Sequence, residues 1–170
     1  MHKVYWITGL AGSGKSTLAA HLCESLQRQK VPIIYLDGDV LREIFQDNIG
    51  YSYQERLKAA WRNARLCKIL TDQGVTVVCA TISMFHEVQL WNRNNIKNYY
   101  EIFLDVPMDV LIKRNQKGLY TKAKGMAPNN VVGVDIPSEF PLNPDMIVHV
   151  GEGVHLTVSK ILDINKNLEC

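Results

Sequence analysis

Gly9-Leu10-Ala11-Gly12-Ser13-Gly14-Lys15-Ser16 decides the fold. The octapeptide satisfies G-x-x-x-x-G-K-[ST] in full, and its context matters as much as its letters. An apolar run, Val4-Tyr5-Trp6-Ile7, precedes it and reads as a buried strand; Thr17-Leu18-Ala19-Ala20 opens a helical run after it. Glycines let successive backbone N–H groups turn inward, and the helix N-terminus adds partial positive charge where phosphates would sit. A chance match in a chain of this size is on the order of one in a hundred. The expectation is a nucleoside triphosphate site in which Lys15 bridges the β- and γ-phosphates and the Ser16 hydroxyl ligates Mg²⁺. Gly9, Gly12, Ser13, Gly14, Lys15, Ser16 and Thr17 are the expected ATP contacts, with Arg114 assigned to the same end.

Outward from the loop, strands alternate with helical stretches, which argues a single α/β domain around a parallel sheet. Lys15 to about Gln29 reads as a helix and Pro32–Leu36 as the second strand. A short helix is expected over about Val40–Gln46. Ser52 with Glu55 has the form of a capping box opening a long helix to about Leu70. Val75–Ala80 is a continuous apolar run, as a central parallel strand requires. A helix over about Phe85–Asn94, a strand over Tyr100–Leu104, a helix over Met108–Arg114, a strand over Met146–Val150 and a helix over His155–Asn165 complete the pattern. Between residues 115 and 144 periodicity fades, and a loop of that length inside a compact domain is expected to be functional, as a lid.

The chain of 170 residues carries a net charge of +2, too little to argue for a nucleic-acid polymer or a membrane surface. No apolar run reaches membrane-spanning length, and Met1-His2-Lys3 runs straight into the first strand, so a cytoplasmic protein without a signal peptide is expected. Cys23, Cys67, Cys79 and Cys170 form no C-x-x-C pair and read as reduced thiols, packed as small hydrophobes where they fall in helices and strands. The five histidines show no metal-ligand spacing.

Ligands of parallel α/β sheets bind beyond the carboxyl ends of the strands. Asp37 and Asp39 fall there. One carboxylate can hold the Mg²⁺ hydration shell, Asp37 acting through water beside Ser16, and the other can orient an attacking hydroxyl and accept its proton. An Asx-type turn capping the next helix is the competing role, and the two are compatible. Ser83, Asp105 and Asp109 are weaker candidates. Lys113, Arg114, Lys117, Lys122 and Lys124 cluster around the expected lid, where they would close over triphosphate charge or simply face solvent.

Taken together, these residues resemble adenylylsulfate (APS) kinases. The resemblance is carried by residues 6–17, by Asp37-Gly38-Asp39 with Arg42, by Gly50-Tyr51-Ser52 with Glu55-Arg56, and by Lys117-Gly118-Leu119-Tyr120 with Lys122. It implies a P-loop kinase with a five-stranded parallel sheet in the order 2-3-1-4-5, a mobile lid, Mg-ATP as donor and a nucleotide 3′-hydroxyl as acceptor. By resemblance, Arg42 and Arg56 would hold the acceptor, Tyr51 would lie against its base, and Lys117, Leu119 and Tyr120 would approach from the lid. APS kinases are often dimers, so a homodimer is compatible with it.

The departures lie on the acceptor side. Where the family usually shows Ser-Pro-Tyr-Arg this chain has Ser83-Met84-Phe85-His86, so Ser83 and His86 become candidate acceptor contacts. The family's next arginine is Gln89, although a later one is kept as Arg93. A helix asparagine is Ala59, and the lid phenylalanine expected to sandwich adenine is Val131. Intact donor machinery with an altered acceptor pocket suggests an active kinase with a different acceptor, such as the cytidine diphosphoramidate used by a divergent branch of the family. True APS kinase is the alternative. A nucleotide-binding module that no longer turns over is a further one, against which Lys15, Ser16, Asp37 and Asp39 argue. A small-sugar or antibiotic kinase is disfavoured by the D-G-D and K-G-L-Y elements.

Overall fold

The structure, a computed structural model, describes residues 2–45, 50–115, 120 and 131–166, with residues 165 and 166 described by backbone alone. Five strands form one parallel sheet: β1 (Val4–Thr8), β2 (Ile33–Asp37), β3 (Thr76–Ala80), β4 (Tyr99–Asp105) and β5 (Met146–His149), in the order β2-β3-β1-β4-β5. Successive strand residues point to opposite faces, so β1 feeds two cores at once. Tyr5 and Ile7 pack with Leu18, Leu22 and Leu26 of α1 (Lys15–Arg28) and with Val158 and Ile161 of α6 (Val154–Lys166). Val4 and Trp6 pack on the other face with Ala60, Ala64 and Cys67 of α3 (Tyr53–Asp72) and Val88 of α4 (His86–Asn95). All five β1 residues are buried, which is why the run lacks alternation.

The long helix begins where the sequence places it. Ser52 caps α3, its backbone N–H donating to Glu55 Oε2 at 2.9 Å while its hydroxyl accepts from the Glu55 N–H. The helix buries a narrower stripe than its sequence suggests. Ala59, Ala60, Asn63, Ala64 and Cys67 are buried, whereas Leu57, Trp61, Leu66 and Leu70 are only partly covered. The short helix α2 (Gly38–Ile44) starts two residues before its expected position. The Asp37 carboxylate accepts from the Asp39 N–H at 2.9 Å and sets the helix start there. Cys23, Cys67 and Cys79 are free and buried, as expected; Cys170 lies outside the described residues. Among the described residues no helix is long and apolar enough to cross a membrane.

A third cluster closes the carboxyl end of the sheet. Leu10 of the glycine loop, Met84, Phe103, Leu111 of α5 (Met108–Arg114) and Tyr120 pack there with Val131, Val132 and Ile136. The described part of the expected lid, from residue 131 on, is therefore built into the body of the domain. Glu139 holds it: its N–H donates to the Met84 carbonyl, and its carboxylate accepts from the His86 N–H and, at 3.2 Å, from the Tyr53 hydroxyl.

Removing the Ser52 cap tests how much the start of α3 depends on it. Ser52→Ala is expected to destabilise the domain by about 1 kcal/mol, read as a lower urea midpoint at unchanged m, with the KM for ATP unaltered. An unchanged midpoint contradicts the capping role.

Candidate active site

A cleft of about 630 Å³ lies across the carboxyl ends of β1, β2 and β3. The glycine loop forms one end through Ala11, Gly12, Gly14, Lys15, Ser16 and Thr17. Asp37, Gly38 and Asp39 lie in its wall, and Arg42, Tyr51, Arg56, Asn63 and the segment Thr81–Phe85 extend it away from the loop. Two glycines permit this closeness. A Cβ at Gly9, whose φ is +149°, would stand 2.8 Å from the Leu104 carbonyl oxygen and 2.9 Å from Ser13 Oγ. A Cβ at Gly38 would come within 3.2 Å of Thr81 Oγ1 and 3.3 Å of the Ala80 carbonyl oxygen.

At the loop end, the Lys15 ammonium donates to the Leu10 carbonyl at 2.8 Å. Burial lowers its pKa to about 8, against the opposing pull of the Asp39 and Asp37 carboxylates. The Ser13 hydroxyl is buried and meets no hydrogen-bond partner among the described residues. Arg114 Nη1 donates to the Gly12 carbonyl at 3.1 Å, so the expected donor-side arginine stands over the loop.

Ser16 Oγ donates to Asp37 Oδ2 at 2.9 Å, and the Tyr35 hydroxyl donates to the same oxygen at 2.8 Å. Burial works to raise the Asp37 pKa, but the hydrogen bonds from Tyr35, Ser16 and the Asp39 N–H outweigh it and hold the carboxylate below its ordinary value. An ionised carboxylate joined to a hydroxyl at the head of the phosphate loop is a hard-oxygen pair. It fits Mg²⁺, which takes few protein ligands and shares the rest with phosphates and water.

Away from the loop, the guanidinium carbons of Arg42 and Arg56 stand 4.9 and 5.2 Å from the centre of the Tyr51 ring. Both are aimed by backbone carbonyls: Arg42 Nη1 donates to Gly50 O at 3.2 Å and Arg56 Nε to Tyr51 O at 2.9 Å. Burial first, and the charge of Arg42 second, lower the pKa of Arg56. Two cations confined around one ring give this end of the cleft positive charge of the kind an anion could meet. Ser83, which also lines the cleft, is buried with a φ of +23°, a conformation unusual for a side-chain-bearing residue, and its hydroxyl shares a hydrogen bond of 2.8 Å with Thr81.

Several expected contacts are placed elsewhere. The ring of His86 faces the Phe140 carbonyl, 2.8 Å from Nε2, and His86 is not among the residues lining the cleft. Tyr120 is buried in the third cluster and donates to the Ala11 carbonyl at 2.7 Å, so it braces the phosphate loop rather than lining the cleft. Val131 is turned into the same cluster, and its neighbour Val132 lines the cleft. Arg93 pairs with Asp145 at 3.0 Å and Glu101 at 3.5 Å, securing β4 to the approach of β5. Lys117, Leu119, Lys122 and Lys124 lie outside the described residues.

The sequence reading missed three residues. Tyr35 was legible, because i and i+2 of a strand share a face and Asp37 is its partner. Asn63 was also legible, two helical turns beyond Arg56 on one stripe of α3. Glu139 carried no signal, since its partners lie 53 and 86 residues away.

Comparison with known proteins bears on the family and the fold. Residues 1–149 match the family model described as adenylylsulphate kinase. The chain is 44% identical over 164 residues to a cytidine diphosphoramidate kinase of Campylobacter jejuni, covering 93% of this chain and 95% of that protein. It is 38% identical over 162 residues to an adenylyl-sulfate kinase of Pseudomonas aeruginosa, covering 94% and 83%. The structure superposes on the Mycobacterium tuberculosis APS kinase CysC, solved in complex with AMPPNP and APS, with a TM-score of 0.89, 29% identity and coverage of 97% and 98%. The phosphate loop, the sheet order and these matches agree: the chain belongs to the adenylylsulphate kinase family of ATP-dependent phosphotransferases.

Proposed function

We propose that this kinase transfers the γ-phosphoryl group of ATP to the 3′-hydroxyl of a cytidine nucleotide bearing a phosphoramidate, cytidine diphosphoramidate, rather than to adenylylsulfate. The supporting observation is a division within the cleft. At the loop end Lys15 bonds to the phosphate loop and Ser16 to Asp37, while the rest of the lining includes two arginines around Tyr51 and an aliphatic Val132. Stacking of a base on an aromatic ring contributes about 1–3 kcal/mol, so a cleft that is aliphatic at Val132, with Tyr51 and Phe85 as its rings, suits a small pyrimidine better than adenine. The arginine pair suits the charge of a diphosphate-like group. The 44% identity to a cytidine diphosphoramidate kinase supports the same reading.

In this reading Ser16 and Asp37 would hold Mg²⁺, which supplies charge neutralisation at the phosphates when bound. Lys15 steadies the transferring group, and Asp39 orients the acceptor hydroxyl and takes its proton. Arg42 and Arg56 fix the acceptor so that its hydroxyl meets the phosphorus in line. Adenylylsulfate is the second reading, favoured by the retention of Arg42, Tyr51 and Arg56 in one cluster.

Steady-state kinetics with Mg-ATP and each acceptor, the phosphorylated position being fixed by NMR, separate the two. A kcat/KM at least about tenfold higher for cytidine diphosphoramidate is expected, on the order of one lost stacking contact. Equal or better use of adenylylsulfate overturns the proposal. Asp39→Asn is expected to lower kcat by about 10²-fold or more with little change in ATP affinity, and equal losses in both contradict the role given to Asp39. Lys15 supplies a pH test. Its pKa of about 8 means that the amine is largely neutral at about pH 9, and phosphate charge beside it restores the ammonium form. ATP binding at that pH should therefore take up protons, measured by calorimetry in two buffers of different ionisation enthalpy. Lys15→Arg should abolish the uptake, and its absence in the unaltered protein contradicts the assignment.

A further inference from the structure

Asn63 is a buried polar side chain that the mechanism above does not use. It is 3% exposed, yet it lines the cleft. Its Oδ1 is fully buried and meets no hydrogen-bond partner among the described residues. A buried amide oxygen left unpaired costs free energy comparable to a lost hydrogen bond, so such groups are rare unless something answers them. Asn63 also lies on the stripe of α3 that faces the sheet, seven residues after Arg56 and between the buried Ala60 and Ala64. Seven residues are almost two turns, so the two side chains share one helix face about 10 Å apart along the axis. That is the separation of a nucleotide's phosphate from the far edge of its base, to within a few ångströms. Small alanines stand around it at 59, 60 and 64, so its amide is the first hydrogen-bonding side chain after Arg56 on the buried stripe.

We infer that Asn63 reads the base of the acceptor nucleotide, its carboxamide oxygen accepting from an exocyclic amino group. The chemistry selects the ligand class. An unpaired acceptor needs a donor, and among the pyrimidines cytosine presents an amino group where uracil presents a carbonyl; adenine and hypoxanthine differ in the same way. A carbonyl facing Oδ1 would set two acceptors against each other and leave both unpaired, which is how buried polar sites reject a wrong ligand. Specificity at this position concerns the amino group, and it adds to the size discrimination attributed to the aliphatic Val132. The inference rests on the reading that the far end of the cleft holds an acceptor nucleotide, but not on which amino-bearing base it carries.

The test measures kcat/KM for two pairs of acceptors: cytidine diphosphoramidate against its uridine analogue, and adenylylsulfate against its inosine analogue. Each is run with the unaltered enzyme, Asn63→Leu and Asn63→Asp. The unaltered enzyme should prefer the amino-bearing member of its better pair by on the order of tenfold or more. Asn63→Leu, similar in volume and without hydrogen-bonding groups, should bring that ratio close to one while the KM for ATP holds. Asn63→Asp keeps an acceptor oxygen and should keep the preference. If the leucine variant does not fold, Asn63→Ala carries the same comparison. A ratio that survives the loss of the amide, or a loss that falls equally on both members of a pair, overturns the inference. A preference that depends on Asn63 but appears only in the adenine pair sustains it while defeating the cytidine reading of the acceptor.

Discussion

The hydrogen bond from Ser16 to Asp37 is the constraint on which the site depends. Ser16 follows β1, Asp37 ends β2, and β3 lies between those strands in the sheet. A contact of 2.9 Å between them must therefore pass over the end of β3. It exists because the chain at Gly38 crosses almost in contact with Ala80 and Thr81, and because the parallel register sets Leu36 beside Cys79 and Asp37 beside Ala80. Tyr35, one residue pair back along β2, donates to the same carboxylate oxygen and fixes its direction. The Asp37 carboxylate thus serves three partners at once: the phosphate-loop hydroxyl, the tyrosine and the first turn of α2. The capping contact leaves the proposed Mg²⁺ role open to the same carboxylate.

Charge organises the rest of the cleft. At one end a single buried lysine has its ammonium form destabilised by burial, a cost that phosphate can relieve. At the other, two arginines crowd one tyrosine ring, and their mutual repulsion is likewise relieved by an anion. The carboxylates of Asp37 and Asp39 stand between these poles. A molecule with a phosphate chain at one end and an anionic nucleotide at the other brings neutralising charge to both, and desolvation of the cleft strengthens every such pairing. The uncharged features of the lining, Val132, Phe85 and Asn63, are the ones on which the proposed discrimination between nucleotides rests.

Much of this was legible because it is local. The phosphate loop between a strand and a helix, the Ser52–Glu55 box and the continuous apolar strands each draw their meaning from residues within a few positions of one another. What escaped was long-range. Tyr120 is an expected acceptor contact and Val131 holds the place of the lid phenylalanine, but the third core cluster captures both, and Val132 lines the cleft. His86 is drawn to the 139–140 segment by groups more than fifty residues away, and Arg93 is held by Asp145 for the same reason. Pattern places a residue on an element; only packing decides which way a loop residue turns. Asn63 is the intermediate case, since the helical period could have put it on the buried stripe while its unpaired oxygen is visible only in three dimensions.

A crystal structure of the enzyme with a non-hydrolysable ATP analogue, Mg²⁺ and cytidine diphosphoramidate tests the central claim most directly. The account predicts that one cleft holds both nucleotides, with the acceptor's diphosphate-like group between Arg42 and Arg56 and its 3′-hydroxyl beside Asp39, in line with the γ-phosphorus. A cytidine compound bound outside this cleft, or with its 3′-hydroxyl turned away from Asp39 and the γ-phosphate, would contradict it.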